Sequence, residues 1–198
     1  MPRTPFLALL RLRFLVRASA ARLLLVLSVL TLGAAPGAAC AASEEVRAVQ
    51  DLLARGLAQA ALLRLDTRAG APVVVQGALG DEAELRFLRG VALMDLMRNA
   101  EALAWFERMS QDHPELPDPH NNVALLHVRA GRLEPARQSL ETALRNDPNY
   151  RVARANLGLV YLMLAVQAFE QVAAGGPVEA QLTRRLEGAR ALVATPSR

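Results

Sequence analysis

The chain has 198 residues, 53% of them hydrophobic and only 4% aromatic, with a formal charge of +4. That length favours a single domain, and a composition led by Ala and Leu suits packed helices better than strands. Arg3, Arg11, Arg13, Arg17 and Arg22 all precede the first acid, Glu44; the remainder holds 18 arginines against 19 acids, which excludes a basic footprint for nucleic acid.

The chain opens with a positive segment, Arg11 to Arg22, then an apolar core, Leu23 to Leu32, then a small-residue tail, Gly33 to Ala42. This order predicts a secretory signal peptide over residues 1–42. Its apolar core is about half the length that a membrane-spanning helix needs. The long positive segment is explained equally well by a start codon later than Met1. Cys40 is the only cysteine, so no internal disulfide can form. Two outcomes stand open for it. Cleavage nearby, between Ala42 and Ser43, places the chain in the periplasm. Alternatively, Gly37-Ala38-Ala39-Cys40 acts as a degenerate lipobox and makes Cys40 the lipid-modified first residue of an outer-membrane lipoprotein facing the periplasm. Gly37 stands where such a box usually has a large aliphatic residue, and Pro36 separates the cysteine from the apolar core.

Residues 43–81 read as a degenerate first helix pair and a loop. Ser43 is placed to cap the first helix, with Glu44 and Glu45 in its first turn. Val46, Val49, Leu52 and Leu53 keep helical spacing up to a turn at Arg55-Gly56. Ala61 and Leu65 then mark the second helix, to about residue 68. Gly70, Pro72, Gly77 and Gly80 surround Val73-Val74-Val75, which predicts a packed loop in preference to a short strand.

From residue 82 onward the helical pattern is regular. Leu85, Leu88, Ala92, Leu93 and Leu96 form one helix, Arg98-Asn99 a turn, and Ala102, Leu103, Phe106 and Met109 a second helix closed by His113-Pro114. Gly90 must be small because the second helix crosses it near Ala102. Asp118 is placed as a cap with Pro119 at the first helical position. Ala130-Gly131-Arg132 is the next turn, and Ala136, Leu140 and Ala143 lead to Asp147-Pro148. No Gly, Pro or polar turn separates Tyr161 from Gln171, so one long helix is expected to about Ala174. Gly175-Gly176-Pro177 ends it, and Val178, Leu182, Leu186, Ala189 and Val193 predict an amphipathic last helix.

Residues 83–116 and 117–150 superimpose at an offset of 34: Gly90 answers Ala124, Ala102 answers Ala136, Phe106 answers Leu140, and Pro114 answers Pro148. Leu157, Gly158 and Tyr161 continue the period. A 34-residue helix pair with small residues at the crossing and a closing proline resembles the tetratricopeptide repeat (TPR) family. The likeness is close over 83–164 and loose over 43–193. The wording Arg-Phe-Leu-Arg-Gly (86–90) and Pro-Asp-Pro-His-Asn-Asn-Val-Ala (117–124) is similar to small exported TPR proteins of proteobacteria. The resemblance implies an all-α fold: a right-handed helical-repeat solenoid of antiparallel helix pairs over 82–198, with a C-terminal capping helix.

It also implies a concave groove lined by the first helices of successive repeats, which takes a peptide segment or protein partner. By repeat position the lining is Glu84, Phe87, Val91 and Asp95, then Asp118, Asn121, Asn122, Leu125 and Arg129, then Val152, Asn156, Leu159 and Met163. Asn122 and Asn156 match an asparagine that helps hold a terminal carboxylate in chaperone adaptors of the family. Phe87 and Val152 occupy the two basic positions of that clamp. The plainer reading is that both asparagines tie neighbouring helices together.

Trp105 reads either as core or as an exposed anchor. His113, His120 and His127 recur at every seventh position but lack ligand spacing, so no metal and no cofactor is expected. No phosphate loop, nucleophile elbow or paired acid and base is present, which predicts a scaffold and no enzyme. The alternative to a partner-binding scaffold is a self-associating module whose groove is filled by its own helix or by a second copy.

Overall fold

A computed structural model describes residues 36–69, 79–177 and 179–194. Among these residues the chain is all helix. The elements are α1 (Pro36–Ala54), α2 (Ala58–Ala69), α3 (Leu79–Asp95), α4 (Asn99–Asp112), α5 (Pro117–Arg129), α6 (Leu133–Asn146), α7 (Arg151–Ala174) and α8 (Ala180–Ala194). The leader up to residue 35 and the Val73-Val74-Val75 loop lie outside the described residues. The chain divides into two compact units, one ending at Leu126 and one running from His127 to Arg198, so the division falls within α5.

Four helix boundaries differ from the sequence expectation, the first being that α3 begins at Leu79, inside the stretch read as a loop to residue 81. The first helix begins at Pro36, so Ser43 lies inside α1 and does not cap it. Proline at a helix start loses no hydrogen bond, and the alanines after it favour helix. For the same reason α5 begins at Pro117, just ahead of the expected cap Asp118. Finally, the chain reverses between α3 and α4 over Leu96 to Arg98, and the residue that turns it is Met97, with φ 58°.

The turns are the most regular feature of the chain. Gly56 (φ 73°), Met97 and Gly131 (φ 71°) each adopt the left-handed conformation just past a helix. Each makes the same pair of backbone bonds. Gly56 N–H donates to Leu53 O and Leu57 N–H to Leu52 O; Met97 N–H to Met94 O and Arg98 N–H to Leu93 O; Gly131 N–H to Val128 O and Arg132 N–H to His127 O. This is the Schellman arrangement, which satisfies two otherwise orphaned helix-end carbonyls. Met97 and Gly131 are separated by one repeat period. Gly56 and Met97 are farther apart than one period, because extra chain is added between α2 and α3.

In the unit ending at Leu126, Val49 of α1, Ala61 and Leu65 of α2, and Leu85 and Leu88 of α3 form one buried cluster. Burial of each large side chain stabilises the unit by about 1.5–3 kcal/mol relative to exposure. Arg64 of α2 donates two bonds to Glu45 of α1 at 2.8 and 2.7 Å, and Arg89 of α3 pairs with Asp66 of α2. Farther along α3, Phe106 of α4 is completely buried and its ring lies on Gly90. A Cβ at Gly90 would come within 2.3 Å of that ring, so the second helix does cross close enough to require a small residue, and the nearest atoms belong to Phe106.

In the unit from His127, Ala136, Leu140 and Ala143 form the buried stripe of α6. They follow Ala102, Phe106 and Met109, the buried stripe of α4, at one repeat period. Asp147 Oδ1 accepts from the Asn149 N–H at 2.9 Å in the link to α7. As expected from the missing turn, α7 runs unbroken from Arg151 to Ala174. The last helix, α8, packs Leu186 and Val193 against Val166 of α7. An all-helical chain with recurring turns and recurring buried stripes is compatible with a helical-repeat protein.

Candidate functional site

The residues expected to line a groove fall into both units. From α3 and the first part of α5 come Glu84, Phe87, Val91, Asp95, Asp118, Asn121, Asn122 and Leu125. Their surroundings differ sharply. Asp95 is exposed and Glu84, Phe87 and Asp118 are half-buried, whereas Val91, Leu125, Asn121 and Asn122 are 8%, 3%, 4% and 5% exposed. Leu125 is therefore core and offers no apolar surface to a guest in this state. Phe87 places its ring 5.6 Å from that of Phe106 and belongs to the same packing.

Asn122 directs its amide into its own helix. Nδ2 donates to the Asp118 carbonyl at 3.2 Å, one turn back. A side-chain donor used in this way holds the first turn of its own helix, whereas the plainer reading had it tying neighbouring helices together. The electrostatics near it also oppose a carboxylate guest. Burial pushes the Glu84 carboxyl up; the bond donated by Gln50 Nε2 at 3.2 Å opposes this, and the charges of Asp118 and Asp81 add to the rise. The α3–α5 part of the lining is acidic, and a terminal carboxylate brought there would meet like charge.

From the second unit come Arg129, Val152, Asn156, Leu159 and Met163, all half-buried. Leu159 and Met163 are packed against the Val166, Leu186 and Val193 cluster. The chain's own α8 thus packs over two of the apolar positions expected to receive a guest. Arg154 donates to the Pro148 carbonyl. Cys40 falls within the backbone of α1.

Other groups are committed elsewhere. Trp105 is half-buried; its Nε1 donates to the Arg86 carbonyl at 2.7 Å, and the Arg89 guanidinium lies 5.0 Å from its ring centre. Trp105 therefore clasps α4 to α3 instead of standing free as an anchor. Arg86 pairs with Asp112 and approaches His113 Nε2 at 3.4 Å. His120 Nε2 lies 3.3 Å from the Pro114 carbonyl, in a separate contact. Among the described residues no three His, Cys, Asp or Glu side chains are grouped to hold a metal ion.

One surface was missed at the sequence level. Tyr161 and Val172 on α7 are 49% and 55% exposed despite their size, and the Tyr161 hydroxyl donates to Glu141 of α6 at 3.3 Å. The available signal was the composition of α7, whose apolar residues are spread around the helix instead of gathered on one face. By length and composition this helix is long and apolar enough to cross a membrane.

No family model matches the chain, and no curated protein does. Among solved structures the chain is similar to a Bacteroides ovatus protein described as "a putative protein binding protein", with 15% identity, 77% of this chain and 80% of that one covered, and a TM-score of 0.42. That likeness is too low to bear on function.

Proposed function

We propose that this chain is an exported tetratricopeptide-repeat scaffold of the cell envelope, without catalytic activity, that binds a peptide segment or protein partner. Its helix pairs would stack as a right-handed solenoid, with α8 as the capping helix. The observation that carries this reading is the thrice-repeated Schellman turn at Gly56, Met97 and Gly131. With matching buried stripes one period apart in α4 and α6, it gives the repetition that such scaffolds need. The signal-peptide order of residues 1–42 supports export to the periplasm, with lipidation of Cys40 as the alternative.

The chemistry of the lining narrows the guest. Glu84 and Asp118 favour a neutral or cationic segment over a terminal carboxylate. A second reading has one specific observation behind it: Leu159 and Met163 are already covered by α8, which favours a lining filled at that end by the chain itself.

The test is photo-crosslinking in intact cells from positions 95 and 129. Discrete adducts containing another envelope protein are expected. Adducts of twice the chain's own mass would move the assignment to self-association, and no adduct from either position would remove partner binding.

A further inference from the structure

Gly90 and Gly158 stand two repeat periods apart, at the same place in the repeat. At Gly90 the neighbouring helix is present: Phe106 of α4 fills the space where a Cβ would stand. At Gly158 nothing lies within 4 Å of that space. The cause is visible in the chain. The chain turns back at Met97 after α3 and at Gly131 after α5, but α7 continues straight through Ala165, the next position in that series. Among the described residues no antiparallel helix covers Gly158, and α8 packs instead on the side carrying Leu159, Met163 and Val166.

The parallel extends to charge. Arg86 lies one turn before Gly90 and pairs with Asp112 of α4, which follows Phe106 in the same helix. Arg154 lies one turn before Gly158, at the repeat position of Arg86, and is exposed. Its guanidinium contacts a carbonyl, Pro148 O, and no carboxylate among the described residues. The single acid of α7, Glu170, is bonded to Arg190 of α8 at 2.7 Å. Residues 127–198 carry ten arginines against six acids, while residues 43–126 carry eight against thirteen. An acidic guest suits this end of the chain.

We propose that the open face of α7 bearing Arg154, Gly158, Tyr161 and Val172 is a docking site for an acidic amphipathic helix of another protein, which takes the place of the second helix this repeat lacks. The guest seats a bulky apolar residue over Gly158, as Phe106 sits over Gly90. Farther along the guest, a carboxylate meets Arg154, as Asp112 meets Arg86. The helix runs antiparallel to α7, with a small residue one turn before the bulky one in the place of Ala102. The inference rests on the repeat reading but not on the groove: the surface is a different one.

The chain supplies its own probe. A labelled synthetic peptide of residues 99–112, the sequence of α4, carries Ala102, Phe106 and Asp112 in the required order and a net negative charge. In fluorescence anisotropy with the full exported chain, saturable binding is expected. Gly158→Leu fills open space without an internal clash, so the fold stays intact while binding falls about tenfold or more. Arg154→Glu weakens binding, and a peptide carrying Asp112→Arg restores it.

Three results would overturn the proposal: no saturable binding, binding indifferent to Gly158→Leu, or a failed charge reversal. Sedimentation is run on the chain alone; a dimer dissolved by Gly158→Leu assigns the face to a second copy and likewise overturns it. Crosslinks from positions 95 and 129 report on the groove separately. Their loss with peptide binding intact, or the reverse, shows which reading failed.

Discussion

Gly90 and Gly158 occupy one position of the repeat, and the molecule uses them in opposite ways. The first is buried beneath a phenylalanine ring; the second faces open space. The difference teaches that the motif residue survives in the sequence after the packing that requires it has gone. A glycine in a helix interior is a burden by itself, because it gives the unfolded chain more freedom and adds no contact. Only at Gly90 does something offset that burden. Substitution to alanine separates the two cases. Gly90→Ala must displace a completely buried ring, and an unfolding titration should show a loss of about 1–3 kcal/mol. Gly158→Ala meets no atom and should raise stability by about 0.5–1 kcal/mol. Equal signs at the two positions would break the comparison.

The turns make the same contrast on the backbone. Gly131 and Met97 hold equivalent left-handed positions, and Ala165 stands where the next one would fall. Glycine takes this conformation freely, whereas a side chain costs about 1–2 kcal/mol there. Met97 is 69% exposed, so removing its side chain forfeits little packing. Met97→Gly should stabilise by about 1 kcal/mol, and Gly131→Ala should destabilise by a similar amount, both read from denaturant midpoints. That Met97 turns at all shows that glycine is not what decides a reversal. The helix after Met97 has a narrow apolar stripe, Ala102, Phe106 and Met109, that is buried only if the chain folds back. Beyond Ala165 no Gly, Pro or polar turn intervenes before Gly175, and the helix simply continues.

These particulars show what the sequence could and could not tell. Helix periods, the turns at Gly56 and Gly131 and the unbroken α7 were legible because each rests on local chemistry: amphipathic spacing, a left-handed glycine, or its lack. Met97 was not legible, since no residue type announced a left-handed turn there. Burial of groove candidates was legible only as a face. Spacing assigns Leu125 and Leu159 to one face of their helices, but whether the rest of the chain closes over that face depends on tertiary approach. The same applies to Arg86 with Asp112, to Trp105 reaching the Arg86 carbonyl, and to the environment of Glu84. Each joins groups far apart in sequence whose meeting no local pattern encodes.

The smallest effect is also the one that most directly compares the occupied and open faces. A hydrogen bond from Arg86 holds the Asp112 carboxyl below its usual value of 3.8, with further lowering from the charges of Arg86, His113 and Arg108. A carboxylate depressed on folding adds stability that is fully present above 3.8 and is lost as the pH falls through the lower folded value. Asp112→Asn should therefore lower the unfolding midpoint at pH 7, by an amount that stays constant down to about pH 4 and disappears in stronger acid. Arg154, at the equivalent place in α7, bonds to the Pro148 carbonyl, which does not titrate. Any midpoint shift from Arg154→Gln should accordingly be the same across that range. An acid-sensitive shift at Arg154 would mean that a carboxylate already faces it, and the two faces would no longer differ in the way the geometry requires.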